Sequence, residues 1–301
     1  MKKTKPPQAQ IQIDDAALAE STTFRDFYHY LLAEHLSGDR PRPLTIDILL
    51  GWAERLRPLM AHLARYAPAE ARLLRGPTIQ CDLWQLYALS RVSDLLSLPF
   101  QPSSAEPRLQ QPIPALSAME YQAFWEALGL RLLTPGSYHP FFCEIAEVLQ
   151  APDDDAPIAL RDVRWPGLMF GDLLIARAGV AVWGGSQHVR ADIAPHSALY
   201  FAHCRRYRYS NDLSHGWGHN SQWRTDFRRD YVDPNCFYYH VDGDFAAELP
   251  TPPDPQAFPH IRRYQTPAQR VELVRNRCFI TTDLPDGDLW PFDDFFIEVR
   301  V

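Results

Sequence analysis

Histidine is the side chain best suited to chemistry near neutral pH, as proton carrier or metal ligand. Eight of the eleven histidines lie between positions 139 and 260. Three groupings could supply ligands or a general base: His139 with Glu144, His196 with His203, and His215 with His219. An i, i+4 histidine pair aims both rings one way on a helix. Between His215 and His219 stand Gly216-Trp217-Gly218, which predict a loop instead and weaken the metal reading. No H-E-x-x-H run and no Cys/His zinc spacing occurs. G-x-S-x-G, G-x-G-x-x-G and the P-loop are absent as well, which removes the usual esterase, dinucleotide and ATP readings. A hydrolase would therefore be assembled from His139, Glu144, His215, His219 and Arg224, with histidine as base, carboxylate as orienter or metal ligand, and arginine facing an anion.

Two further stretches suit binding rather than catalysis. Residues 211–231 combine Trp217 and Trp223 with Arg224, Arg228 and Arg229 in a polar, glycine-punctuated segment. Stacked tryptophans and arginine forks make a pocket for an anion; alternatively Arg228 and Arg229 pair with Asp226 and Asp230 and lock the segment down. Residues 283–296 interleave Asp283, Asp286, Asp288, Asp293 and Asp294 with Trp290, Phe292, Phe295 and Phe296. That spacing departs from the EF-hand calcium loop. It matches aromatic anchors inside a charged rim, as at protein interfaces, or else an acidic turn over a buried Trp290.

The elements that must position these residues divide near 133/134. Thr23, Thr45 and the Ser117/Glu120 capping box each precede apolar residues at helical spacing, and a further helix is predicted from about Ile79 to Leu98. Pro58 is expected to bend or divide the second of these. After Pro135, short β-branched and aromatic runs alternate with turn residues: Ile158–Trp165, Leu168–Ile175, Val180–Trp183, His188–Ile193, Ala198–Arg205, Cys236–Val241, Cys278–Thr282 and Phe295–Val301. Short connections favour antiparallel pairing. One helix opens at Thr266-Pro267-Ala268-Gln269. The expected class is α+β, an N-terminal helical layer (1–133) beside a mainly antiparallel β region (134–301), as two regions or one continuous domain.

Composition bounds the role. The chain of 301 residues is 46% hydrophobic and 12% aromatic, enough for a packed core. Residues 1–133 hold 14 basic and 14 acidic side chains, so the net charge of −7 arises downstream. Nucleic-acid binding lacks its cationic surplus. No apolar run reaches the length of a membrane span, because Asp172 and Arg177 interrupt the longest one, Gly167 to Trp183. The basic start leads into no apolar signal core, and five cysteines without a C-x-x-C pair suit a reducing, cytoplasmic setting. Lysine stops at Lys5 while arginine occurs 27 times, a coding bias expected of a GC-rich bacterium. The reading favours a binding protein of the immunity or inhibitor type, its acids docking a basic toxin-like enzyme, without cofactor or metal. The hydrolase is the alternative.

Overall fold

The computed structural model describes residues 22–36, 42–76, 79–100, 115–195, 227–250, 266–283 and 294–300. Within them the fold is α+β, with helices first and mixed, mostly antiparallel sheets after.

Local chemistry explains where the helices start. Helix α1 (Phe24–Tyr30) opens on Thr23, whose hydroxyl accepts from the Asp26 amide while the Asp26 carboxylate accepts from the Thr23 amide. Helix α2 (Ile46–Leu63) is capped by Thr45 and runs undivided through Pro58. Pro58 and Glu54 both sit on the exposed side, so the carbonyl that loses its amide donor faces water. Helix α3 covers Gln80–Leu96, and α4 (Ala118–Ala127) carries the expected Ser117/Glu120 box. Phe27 stacks on Trp52 at 4.8 Å and meets Phe124 at 5.6 Å. Around them Leu56, Leu86, Leu89, Val92 and Trp125 are fully buried.

The strands are β1 (Arg131–Leu133), β2 (Cys143–Gln150), β3 (Ala159–Trp165), β4 (Gly167–Phe170), β5 (Leu173–Ala176), β6 (Ala178–Gly184), β7 (Asp230–Val232), β8 (Cys236–Tyr239), β9 (Phe245–Ala246) and β10 (Asp294–Val299). Seven form one sheet in the order β1-β4-β5-β7-β8-β10-β9, and three form another in the order β2-β6-β3. Two pairs are parallel, β2 with β6 and β9 with β10; the rest are antiparallel. The helical core continues into Leu168, Leu173, Ile175 and Tyr231, so the helices cover one face of the larger sheet. The last helix, α5 (Pro267–Asn276), has the expected Thr266/Gln269 box and lies against β10.

Four expectations change or fall outside. Leu168–Ile175 is a hairpin, not one strand: Gly171 takes φ +57°, and a Cβ there would stand 2.6 Å from the Ala67 oxygen. Residues 188–193 close on themselves by turns, with the Val189 amide on the Gly185 carbonyl at 2.9 Å and the Ala194 amide on the Arg190 carbonyl at 3.0 Å. At 278–282 a carboxylate replaces a strand partner. One oxygen of Glu272 accepts the Ile280 and Thr281 amides at 2.6 Å each and the Thr282 amide at 3.2 Å. Residues 198–205 lie outside the described residues.

The segment between α2 and α3 ties the helices to the sheet. The Asp172 amide donates to the Ala67 carbonyl at 2.7 Å, and the Asp172 carboxylate accepts the Ala69 amide at 2.9 Å. Tyr231 donates its hydroxyl to the Tyr66 carbonyl at 3.0 Å, and Arg229 reaches the carbonyls of Ala71 and Leu74 at 2.9 and 2.8 Å.

Candidate functional site

Strands β8 and β10 carry a different chemistry on each face. Phe237, Tyr239, Phe296 and Glu298 face α5, whereas Tyr238, Phe295, Ile297 and Val299 face away from it.

The α5 face is built on Asp230, the fully buried first residue of β7. Its carboxylate accepts from Arg228 Nε at 2.9 Å, Arg277 Nη2 at 2.7 Å and the His240 amide at 2.7 Å, and Arg177 Nη2 stands 3.8 Å away. Arg177 comes from the tight link between β5 and β6, and Arg277 from the C-cap of α5, where it holds a left-handed φ of 59°. Two of the guanidiniums also cap the helix: Arg228 donates to the Val274 carbonyl, and Arg177 to the Arg275 carbonyl at 2.9 Å. Cations at a helix C-terminus meet its exposed carbonyls and the negative end of its dipole. Three buried guanidiniums still share one carboxylate. Among the described residues, Nε and Nη1 of Arg177 and Nη1 of Arg228 find no hydrogen-bond partner. Burial, then the like charge of Arg277, pushes Arg177 down to about 10, and burial lowers Arg228 as well. Burial alone would raise the Asp230 carboxyl; the three arginines overcome it and hold that group well below the usual carboxylate range.

The neighbouring ion pairs are balanced. Arg270 forks onto Asp294 at 3.0 and 2.6 Å, with both side chains 1% exposed. Arg229 forks onto Asp242, and Arg275 onto Glu298. Asp294 is therefore an internal partner of α5, not part of an accessible acidic rim. Glu147 meets Arg161 and Arg164, Asp155 meets His188, and Asp192 meets Arg190. Several of the described downstream acids are thus already paired within the chain.

His139 lies beside this face, stacked on Phe237 at 4.1 Å. Its Nδ1 accepts the Phe141 amide at 3.2 Å, and its Nε2 points to Glu298 at 3.8 Å. Burial outweighs Glu298 and pushes His139 down to about 4, so the ring is neutral at pH 7 with both nitrogens facing protein groups. Its carboxylate neighbour is Glu298 rather than Glu144, which lies on β2 of the smaller sheet. Among the described residues, no three His, Cys, Asp or Glu side chains are placed to hold a metal ion. His215, Trp217, His219, Trp223, Arg224, Asp286, Asp288, Trp290 and Asp293 lie outside the described residues; Asp283 is described and exposed.

The opposite face is accessible. A cleft of about 230 Å³ is lined by Arg72, Leu73, Arg75, Tyr238, Phe295 and Ile297, among others. The Arg72 guanidinium lies 4.5 Å over the Tyr238 ring. Arg75 donates to the Val241 carbonyl at 2.5 Å and keeps about half of its side chain (53%) in solvent. Beside the cleft, β10 is an incomplete edge. The Arg300 amide bonds the Asn235 carbonyl on the β8 side, and the Phe295 carbonyl accepts Ala247 on the β9 side. By alternation, the amides and carbonyls of Ile297 and Val299 point to the β9 side. β9 pairs only with Asp294 and Phe295, so among the described residues that edge has no partner strand beyond Phe295. Ile297 is 46% and Val299 68% exposed, and Leu73 at the cleft is 71% exposed.

Sequence reasoning missed this edge and the convergence of three guanidiniums on Asp230. One available signal was Arg177, a single cation inside the most apolar stretch of the chain. No family model, no curated protein and no solved structure matches the chain. No helix among the described residues is long and apolar enough to cross a membrane.

Proposed function

We propose that this chain is a protein-binding protein that takes an extended segment of its partner along the outer edge of β10, with side chains entering the cleft over Tyr238. One observation carries the reading: a strand edge with two consecutive outward-facing backbone positions, flanked by exposed Ile297, Val299 and Leu73. Proteins ordinarily blunt such edges with charge, proline or cover, because they recruit other strands. Main-chain hydrogen bonds would supply affinity and the cleft specificity. Tyrosine and arginine, the residues at its centre, are enriched at binding hot spots.

Arg72 and Arg75 give this rim positive charge, so the segment it fits carries carboxylates. This differs from the basic partner expected from net charge, whose acidic-aromatic stretch is described only at Asp283 and from Asp294 onward. An immunity or inhibitor role is the finer form of the proposal, in which the captured segment belongs to an enzyme that is blocked by docking.

The test uses a fluorescent ten-residue peptide of alternating Val and Glu, with a Val/Lys peptide as control, and reads anisotropy. The Val/Glu peptide is expected to bind and the Val/Lys peptide to fail. Val299→Pro removes an outward amide without touching the β8 ladder, and Ile297→Asp charges the edge. Each is expected to weaken binding by about tenfold or more. Equal binding of both peptides, or no loss in either variant, would overturn the proposal.

A further inference from the structure

The geometry points to a ligand for the cleft itself: one aromatic side chain, flanked on the same face of its strand by carboxylates. The inference rests on the proposed docking edge for the source of that ring, and it names what the captured segment must carry.

Volume decides first. About 150 Å³ of apolar space suffices for a benzene ring, whereas pockets for drug-sized molecules start at about 300 Å³. The cleft, at about 230 Å³, holds one ring and its attachment to a backbone. Its walls favour a ring over an aliphatic chain. Leu73, Val241 and Ile297 supply apolar surface, and Phe295 and Tyr238 bring aromatic rings to it. Tyr238 is fixed, its hydroxyl donating to Asp233 at 2.8 Å while the Arg72 guanidinium lies 4.5 Å over its ring. Aromatic rings and guanidinium planes attract a further ring beyond the area it buries.

Charge selects the flank. Arg75 is held by the carbonyls of Leu74 and Val241, at 2.8 and 2.5 Å, yet about half of its side chain reaches solvent. Its acidic neighbour Asp242, 3.9 Å away, is already forked by Arg229. Arg75 is thus a positioned cation that can take a carboxylate from outside. On an added strand, side chains two residues apart share a face. A ring entering the cleft therefore sets its second neighbours along the rim that carries Arg75, and the segment reads acid-x-aromatic-x-acid.

Two derivatives of the Val/Glu peptide test this on the full chain by anisotropy. Replacing one central Glu by Phe keeps the ring on the face of the remaining acids; replacing the adjacent Val puts it on the other face. The first is expected to bind about tenfold tighter than the parent, and the second no more than about twofold tighter. Leu73→Trp, at an exposed residue of the cleft wall, fills the space and is expected to abolish the gain. Arg75→Gln is expected to weaken the Phe peptide about threefold. N-acetylphenylalanine has a ring and a carboxylate but no strand to add, so it separates the cleft from the edge. Its ring protons are expected to show saturation transfer in NMR with wild type and Val299→Pro, but not with Leu73→Trp. No gain from Phe while the Val/Glu peptide still binds would overturn the inference and leave the docking edge standing. Saturation transfer without any peptide binding would support the cleft ligand and remove the edge. Transfer that survives Leu73→Trp, or the absence of both signals, would overturn the inference.

Discussion

Two buried carboxylates, one in each half of the molecule, show how differently the same group can be used. Asp82, on α3, accepts from His62 Nε2 at 2.9 Å, from the Tyr66 hydroxyl at 2.7 Å and from Arg65, whose side chain is 47% exposed. Only one of these donors is a permanent cation, and it reaches water. Asp230 accepts from cations that are themselves enclosed, and they outnumber it. The first arrangement is a tie between two helices. The second gathers three enclosed guanidiniums on one shared carboxylate.

That contrast can be broken most forcefully at its centre. Asp230→Asn takes from three enclosed guanidiniums the carboxylate they share and is expected to cost about 3–5 kcal/mol, or to prevent folding, in urea denaturation. Asp82→Asn is expected to cost less, about 2 kcal/mol by the same measurement, because Arg65 can turn to solvent. An equal loss in the two variants would erase the distinction drawn between them.

Acid titration sharpens it further. The His139 ring is held down to about 4 by burial, so between its ordinary value near 6.5 and that point the unfolded chain binds the extra proton. The stabilisation is full above about 6.5 and is lost as pH falls toward 4. Asp230 adds a second loss below the ordinary carboxylate range, since its folded form resists protonation. His139→Gln is expected to flatten stability between pH 6.5 and 4 by on the order of 1 kcal/mol, leaving the steeper fall at lower pH unchanged. The smallest effect is expected at the surface: Glu54→Ala, which removes the exposed Arg57 pair at 2.6 Å, shifts stability by no more than about 0.5 kcal/mol.

What the sequence made legible was local. Thr23, Ser117 and Thr266 announced their helices because a cap is a contact over three residues, and Asp26, Glu120 and Gln269 close it in the structure. β2 was not legible. Glu144, Ala146, Glu147, Leu149 and Gln150 are good helix formers, and only pairing with β6 makes them a strand. The Arg228–Asp230 pair was anticipated from its short spacing, whereas the fork of Arg229 onto Asp242 was not, and Asp226 lies outside the described residues. Arg177 and Arg277 reach Asp230 across 53 and 47 positions of sequence, and no local pattern encodes such a meeting. The edge of β10 was invisible for a related reason. Ile297 and Val299 have the composition of any strand, and only the shortness of β9 exposes them.

The bonds from residues 66–75 to β5 and β7 bear on how the polypeptide behaves as a physical object. Tyr231, Arg229 and Asp172 grip that stretch from the far side of the 133/134 boundary, and the apolar contacts of Leu168, Leu173 and Ile175 reinforce the grip. Peptide continuity is thus not what keeps the helical part beside the sheet. A chain nicked once between residues 100 and 115 would migrate as a single particle in a native gel and part into two fragments only in denaturant.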